Sequence, residues 1–319
     1  MKVTKEAKIA NFNVVVGEEE EPMLNYFDTL IYPAFTSGIK RIDKDAEYSF
    51  KGVNIVKNTD GVYWLVGKIV KKTTLEIRSD LDEKGDLIEV DELYSAAPYS
   101  TFVINLKNHR MALVPNQKGS PLLASFRKTV FYILNEYRKK INNDHKYSEE
   151  DKNCSFRTIP QIDIAVVGIP SAVSIKEALR DIKKINELTL RFYPLNGDID
   201  FGGLFGEMIT ELRRTVGSNR GEMVLRSPKN IEGVEEVLEE SGGTVEPIIK
   251  VTTNGNGTMR VTNTDISENH NIDIEKTNDY DRETNSIVKG TAEIKSLNYT
   301  NENHDEIYEK NKPRIKKCI

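Results

Sequence analysis

The chain has 319 residues, of which 38% are hydrophobic and 30% are charged, and its net charge is −5. This size allows about two globular domains. The acidic total disfavours a protein that coats nucleic acid non-specifically, and no apolar run reaches the roughly 18 residues of a membrane helix. The cysteines Cys154 and Cys318 are too few for a disulfide framework or a four-cysteine zinc site. Because the charged N-terminal segment lacks the apolar core of a signal peptide, we expect a cytoplasmic protein.

The first half of the sequence, residues 1–141, has the pattern of short strands joined by tight turns. A β-rich run, 9–16, is followed by a helix that begins near Pro22 and is expected to end at Pro33. Three hairpins follow, with turns at 58–61, 82–86 and 107–110. This half is therefore predicted to be an antiparallel sheet or small barrel with helices.

A long amphipathic helix is predicted to close the first half. Ser120 suits an N-cap, and Pro121 suits the first helical position. Its apolar positions recur at helical spacing: Leu122, Leu123, Phe126, Val130, Ile133, Leu134 and Tyr137. Basic residues at 138–140 suit the last turn, where the helix dipole favours positive charge. A polar linker is predicted over 142–158.

The second half changes to alternating strand and helix patterns. Over 159–263 the order is β-α-β-α-β-α-β, with a terminal hairpin at 248–262, which predicts a sheet layered with helices. The whole chain is therefore expected to be α+β. Residues 264–319 show weak hydrophobic periodicity, and we expect an acidic, partly ordered extension with a basic tail.

Basic side chains at three places are candidates for binding nucleic acid. Four of them recur at the spacing of one helix face, which could contact successive phosphates: Lys176, Arg180, Lys183 and Lys184. Arg127 and Lys128 lie on the long helix, and Arg213 and Arg214 lie at the end of another predicted helix. A solvated helix face has the same pattern, so this alternative stays open.

An acidic pair near the C-terminus supports a different, catalytic hypothesis. Asp273 lies between two isoleucines, and Glu293 and Lys295 form a Glu-x-Lys twenty residues later. An acid on one strand and Glu-x-Lys on the next is the layout of restriction-type metal nucleases. There the carboxylates hold Mg²⁺ and the lysine orients the attacking water. Charged residues on a solvated hairpin would give the same pattern. The sequence has no phosphate-binding loop, zinc helix or serine-nucleophile motif, so we expect no other cofactor.

One stretch resembles a known family. Residues 98–130 run strand (101–104), turn, strand (111–114), then Ser120-Pro121 and the helix around Phe126, and a strand around Trp64 precedes them. This order resembles the N-terminal half of prophage-encoded phage-exclusion proteins of the RexA type. The resemblance covers about a third of the chain and rests on element order, so no site residue carries over. It implies non-enzymatic DNA binding in antiphage defence by abortive infection.

These observations lead to one expected function and two alternatives. We expect a DNA-binding, non-enzymatic sensor or effector of antiphage defence that forms homo-oligomers, does not bind membranes and has a partner protein encoded nearby. The alternatives are a Mg²⁺-dependent nuclease and a protein–protein adaptor in a defence complex.

Overall fold

A computed structural model describes residues 2–147, 158–196, 209, 211–213 and 215–319. Two antiparallel sheets carry helices, which confirms the predicted α+β class. The strands are β1 (Lys2–Val16), β2 (Glu21–Pro22), β3 (Arg41–Asp43), β4 (Ala46–Lys57), β5 (Tyr63–Leu81), β6 (Leu87–Ala96), β7 (Tyr99–Asn105), β8 (Arg110–Pro115), β9 (Ile162–Gly168), β10 (Ile182–Phe192), β11 (Gly221–Arg226), β12 (Glu246–Thr253), β13 (Thr258–Thr262) and β14 (Asn269–Glu275). The α-helices are α1 (Tyr32–Thr36), α2 (Leu123–Tyr147), α3 (Ala172–Leu179), α4 (Ile231–Glu240), α5 (Asn263–Ile266), α6 (Tyr280–Ala292), α7 (Lys295–Asn298) and α8 (Glu302–Lys316).

The large sheet is built on the three predicted hairpins, β4–β5, β5–β6 and β7–β8. Its strand order is β14-β1-β8-β7-β5-β4-β3, with β2 and β9 also paired to β1 and β6 paired to β5. Each hairpin has its turn at the predicted place because the turn residues act locally. The long strand β1 joins these hairpins to β9 and β14, which come from distant parts of the chain.

The main hydrophobic core lies between one face of the large sheet and helices α1 and α2. Five phenylalanines form its centre, at ring distances of 4.7–6.4 Å: Phe12, Phe35, Phe50, Phe102 and Phe126. On the opposite face, Trp64 and Val66 pack with Ile287 of α6 and Leu297 of α7. Because successive side chains of a strand point to opposite faces, β5 contributes to both layers.

The second sheet has the order β11-β10-β12-β13, and all its pairs are antiparallel. Helices α3 and α4 contribute Ile175 and Leu238 to its core. The other predicted strands and helices follow in the expected order, while most of the helix predicted around 204–212 lies outside the described residues. The first strand, β9, belongs to the large sheet, where Val166 lies opposite Phe12 of β1. Val166 is in the core with α2, and Val167 is in the second core. A strand buried on both faces has no alternation that would reveal which sheet it joins.

The helical segment after Pro22 does not end at Pro33 as expected. A 3₁₀ turn (Met23–Tyr26) leads into a π turn (Phe27–Ile31), and α1 then continues to Thr36. Pro33 lies in the first turn of α1, where its missing N–H needs no helical partner. A proline can therefore begin a new helical segment where the hydrogen-bonding pattern changes.

The predicted domain boundaries stay predictions, although strand pairing crosses them. Helix α2 continues to Tyr147, into the predicted linker, and residues 264–319 contribute β14, most of α5, and helices α6, α7 and α8. Strand β14 pairs with β1, and the N–H of Tyr63 donates to the hydroxyl of Tyr308 on α8 (2.9 Å). Among the described residues, no helix is both long and apolar enough to cross a membrane.

Candidate nucleic-acid interface

Helix α2 buries one side and leaves the other in solvent. Leu123, Phe126, Val130, Ile133 and Leu134 are buried in the main core, as their spacing predicts. The helix begins at Leu123, later than predicted. Ser120 does not cap it, because its hydroxyl donates to Asn116 (2.7 Å) and accepts from the N–H of Gln117 (3.2 Å).

The outward face of α2 combines basic and aromatic side chains. We define this face by Lys128, Phe131, Tyr132, Asn135 and Lys139, which recur at spacings of three, four and seven residues. Phe131 is 47% exposed and Tyr132 is 39% exposed, while Lys128 and Lys139 are exposed. Exposed rings between cations provide a surface on which bases can stack while the phosphates are neutralised. This face is the strongest candidate interface for nucleic acid.

The helix has a charge opposite to that of the whole chain. Its sequence holds six basic and two acidic residues, in a protein whose net charge is −5. One of the acids, Glu136, accepts from Lys139 (2.7 Å) on the exposed surface. Such exposed pairs are weak, so they leave the lysine available to phosphate. The basic character of α2 is therefore local, and the acidic total does not oppose it.

Near Lys128 an acid is already neutralised within the fold. Asp43 accepts from the guanidinium of Arg41 (2.7 Å), and Arg41 also donates to Thr129 of α2 (3.1 Å). This hydrogen bond from Arg41, together with the charges of Lys128 and Lys44, lowers the pKa of Asp43. The carboxylate thus faces several cations, and the surface around the start of α2 stays positive.

The predicted residue Arg127 has a structural contact as well. Its guanidinium lies 3.6 Å from the carboxylate of Glu246, at the start of β12 in the second sheet. Lys128, its neighbour in sequence, points to the outward face. Of the two predicted residues, Arg127 therefore lies near an acid of the fold, whereas Lys128 is exposed. Lys128 is the better candidate for a phosphate contact.

Phe131 and Tyr132 are not among the binding residues predicted from the sequence. The signal was present, because at 100° per residue both rings lie away from Phe126 and Ile133, on the side that bears Lys128. Hydrophobic residues on the polar side of an amphipathic helix are the pattern that identifies them.

Comparison of the chain with protein-family models finds no match, and comparison with curated proteins finds no significant match. The outward face is therefore a candidate interface by its geometry and charge alone.

The predicted basic stripe of four residues does not lie on one helix face. Helix α3 ends at Leu179, so it carries Lys176 alone, and Arg180 follows as its C-cap residue. Lys183 and Lys184 belong to β10, where Lys183 donates to Asn256 (3.0 Å). All four side chains are exposed, but the regular spacing does not correspond to a continuous row along a helix.

The predicted pair at 213–214 is only partly described. Arg213 is buried, and its guanidinium donates to Glu20, which follows β1. A buried arginine that is paired within the fold does not reach a phosphate backbone, so this residue is structural. Arg214 lies outside the described residues.

The layout expected for a metal nuclease is wrong. Asp273 lies on a strand, β14, as predicted. Its carboxylate accepts a hydrogen bond from the hydroxyl of Thr4 (2.8 Å). Glu293, however, is the C-cap of α6, and Lys295 begins α7, so Glu-x-Lys is not on a strand. Within the part of the chain that the structure describes, no three His, Cys, Asp or Glu side chains are grouped as a metal site requires.

A buried polar cluster joins α6 to the large sheet. Glu283 of α6 accepts from Lys5 (2.8 Å) and from the hydroxyl of Tyr99 (2.5 Å), and Lys68 donates to the carbonyl of Tyr280 (3.0 Å) and to Thr284. Burial lowers the pKa of Lys68, and burial together with Glu283 raises that of Tyr99. Since Lys5, Lys68 and Tyr99 of the sheet all donate hydrogen bonds to groups of α6, the cluster holds the helix against the sheet.

Proposed function

We propose that this protein binds DNA, without catalysing a reaction on it, through the outward face of α2. The observation that carries the proposal is the exposure of Phe131 and Tyr132 between Lys128 and Lys139 on a helix with excess positive charge. At 25 residues the helix is about 37 Å long, comparable to one turn of a DNA duplex. Exposed rings favour segments with unpaired bases, on which aromatic side chains can stack.

The cellular role that we propose is a sensor or effector of antiphage defence in the cytoplasm. The support for this part is the order of elements around Trp64 and residues 98–130, which resembles phage-exclusion proteins of the RexA type. Binding to phage DNA or its replication products would fit a surface that contacts phosphates and stacks bases without reading a sequence.

The test measures affinity for labelled single- and double-stranded DNA by fluorescence anisotropy, from about 50 to about 200 mM salt. We expect affinity to fall as salt rises. The double substitution Lys128→Glu/Lys139→Glu should weaken binding at every salt concentration and make the slope of log K against log [salt] shallower by about 2, roughly one unit for each lost phosphate contact.

The matched control is Lys229→Glu/Lys276→Glu, which makes the same change in net charge at exposed positions outside α2. It should leave the slope nearly unchanged. Equal losses in the two variants would mean that total charge, and not the outward face, determines the binding. Denaturing gels of the same samples with Mg²⁺ should show intact strands, and strand cleavage would contradict the non-enzymatic part of the proposal.

A further inference from the structure

A two-stranded ribbon extends beyond the large sheet. Strand β5 pairs with β4 as far as Lys72 and with β7 as far as Val70, and from Thr73 onward it pairs with β6. We call residues 73–96 the acidic arm. Within the described chain, β6 has no strand partner other than β5. A ribbon of two strands is marginally stable when nothing packs on it, so this one is expected to have a partner.

The acidic arm presents large apolar side chains to solvent. Leu81 and Leu87 lie opposite each other near its tip and are 62% and 77% exposed, while Leu75 lies opposite Tyr94 near its base. An apolar surface of this kind, surrounded by charges, is typical of an interaction site. Because none of the residues that the structure describes covers these side chains, an occupant from another molecule would bury them.

The apolar row of the arm lies on the same side of the sheet as α2. Leu65 and Ile69 of β5 pack in the core that contains Phe126 of α2. Since side chains alternate along a strand, Leu75 and Ile77 continue on that side. A molecule that approaches this side of the protein therefore meets both the arm and the outward face of α2.

The arm and α2 have complementary charge and size. The arm holds eight acidic and two basic residues, whereas α2 holds six basic and two acidic residues. Each also exposes apolar side chains, Leu81 and Leu87 on the arm and Phe131 and Tyr132 on the helix. The arm is roughly 30 Å long, and the helix about 37 Å. In one chain both surfaces are exposed, so neither covers the other.

We propose that the acidic arm of one copy packs on the outward face of α2 of a second copy, and that the reciprocal contact closes a two-fold dimer. Two such contacts place each acidic arm against a basic helix of the other copy, so no arm or helix face is left uncovered, as in a closed symmetric interface. Pairing of two β6 edges is disfavoured, because Glu89, Asp91 and Glu92 would bring like charges together across the strands.

The dimer has a consequence for DNA binding, and this consequence rests on the proposed function. The arm of the partner and the DNA would occupy the same face of α2, so they exclude each other. Removing the contacts of the arm should then strengthen DNA binding at low salt.

The test uses disulfide cross-linking in a background with Cys154→Ser and Cys318→Ser. Leu81→Cys and Phe131→Cys are purified separately, mixed without DNA and oxidised. We expect a cross-linked dimer in the mixture that is at least tenfold more abundant than in either protein alone. Cross-links formed equally well by Leu81→Cys alone would show arm-to-arm contact and overturn the proposal.

Sedimentation gives the second measurement, which does not depend on cross-linking. The full chain should be a dimer, and Leu81→Ser/Leu87→Ser should raise its dissociation constant at least tenfold, with an unchanged circular dichroism spectrum. The control Val173→Ser, at an exposed apolar residue of α3, should leave the dimer intact. A monomeric full chain, or a dimer unaffected by the arm substitutions, would overturn the proposal. If Leu81→Ser/Leu87→Ser dissociates the dimer as expected but the resulting monomer binds no DNA, the proposed function alone would be refuted.

Discussion

Truncating the two exposed rings of α2 separates the role of these side chains in binding from their role in stability. Phe131 is 47% exposed, so Phe131→Ala removes about half of the burial of a phenylalanine, which contributes roughly 1.5–3 kcal/mol when complete. The expected loss in the free energy of unfolding is therefore about 1 kcal/mol. Phe126→Ala, five residues earlier and fully buried, should cost about 3–5 kcal/mol, because the substitution also leaves a cavity in the core.

The effect on DNA is expected to be larger than the effect on stability. If each ring stacks on one base, Phe131→Ala and Tyr132→Ala should each weaken binding to unpaired DNA by about 1–3 kcal/mol, which is about 5- to 140-fold in Kd. The assay is fluorescence anisotropy with an oligothymidylate of about 20 nucleotides, a length that exceeds one binding site.

The control for this experiment is Met259→Ala, at a half-exposed apolar residue of β13 in the second sheet. It should leave Kd unchanged. If Phe131→Ala and Tyr132→Ala bind the oligonucleotide as tightly as the unaltered chain and remain folded, base stacking on α2 is refuted. Loss of duplex binding by the same factor would instead indicate a general disturbance of the helix.

Two further predictions concern stability. Burial by itself raises the pKa of Asp28, but hydrogen bonds from Lys317 and Arg314 give a net lowering from 3.8. Asp28→Asn should therefore lower the free energy of unfolding, measured in urea at neutral pH, by about 1 kcal/mol. The difference from the unaltered chain should disappear as the pH falls through the lowered pKa of Asp28. A difference that persists in acid would contradict this linkage. Gly168→Ala should lower the free energy of unfolding by about 1–3 kcal/mol, because the added Cβ would lie 1.8 Å from Oγ of Ser267. The control Gly221→Ala, whose added Cβ has no atom within 4 Å, should change the stability little. Equal losses of stability in the two variants would exclude the steric cause.

Local signals explain what the sequence predicts well. The hairpin turns and the buried side of α2 follow from turn residues and from helical periodicity, which act over a few neighbouring positions. The position of Lys128 on the solvent side of α2 follows in the same way. The same periodicity places Phe131 and Tyr132 on the solvent side, but a hydrophobic residue in a helix is by default assigned to the core.

The misplaced basic stripe shows why other parts of the site could not be predicted. Strand β10 begins at Ile182, but its register shifts between Ile182 and Lys184 and again between Ile185 and Glu187. These irregularities interrupt the alternation of apolar and polar residues that would identify a strand. The basic residues then stand at intervals that are also typical of one helix face. The sequence likewise shows the alternation of the acidic arm without showing that no layer covers it, because burial depends on elements far away in the chain.

The position of β1 in the large sheet has a consequence for synthesis on the ribosome. Lys2–Val16 emerges before β9 and β14, yet it pairs with both strands, and the partner of Lys2 is Glu275. Contacts between such distant residues are slow to form, because a long loop must be closed before they stabilise anything. During translation β1 must therefore keep unpaired backbone groups in solvent until β14 has been made. A nascent chain arrested before residue 269 should consequently be prone to aggregation along the edge of β1 that β14 would have covered.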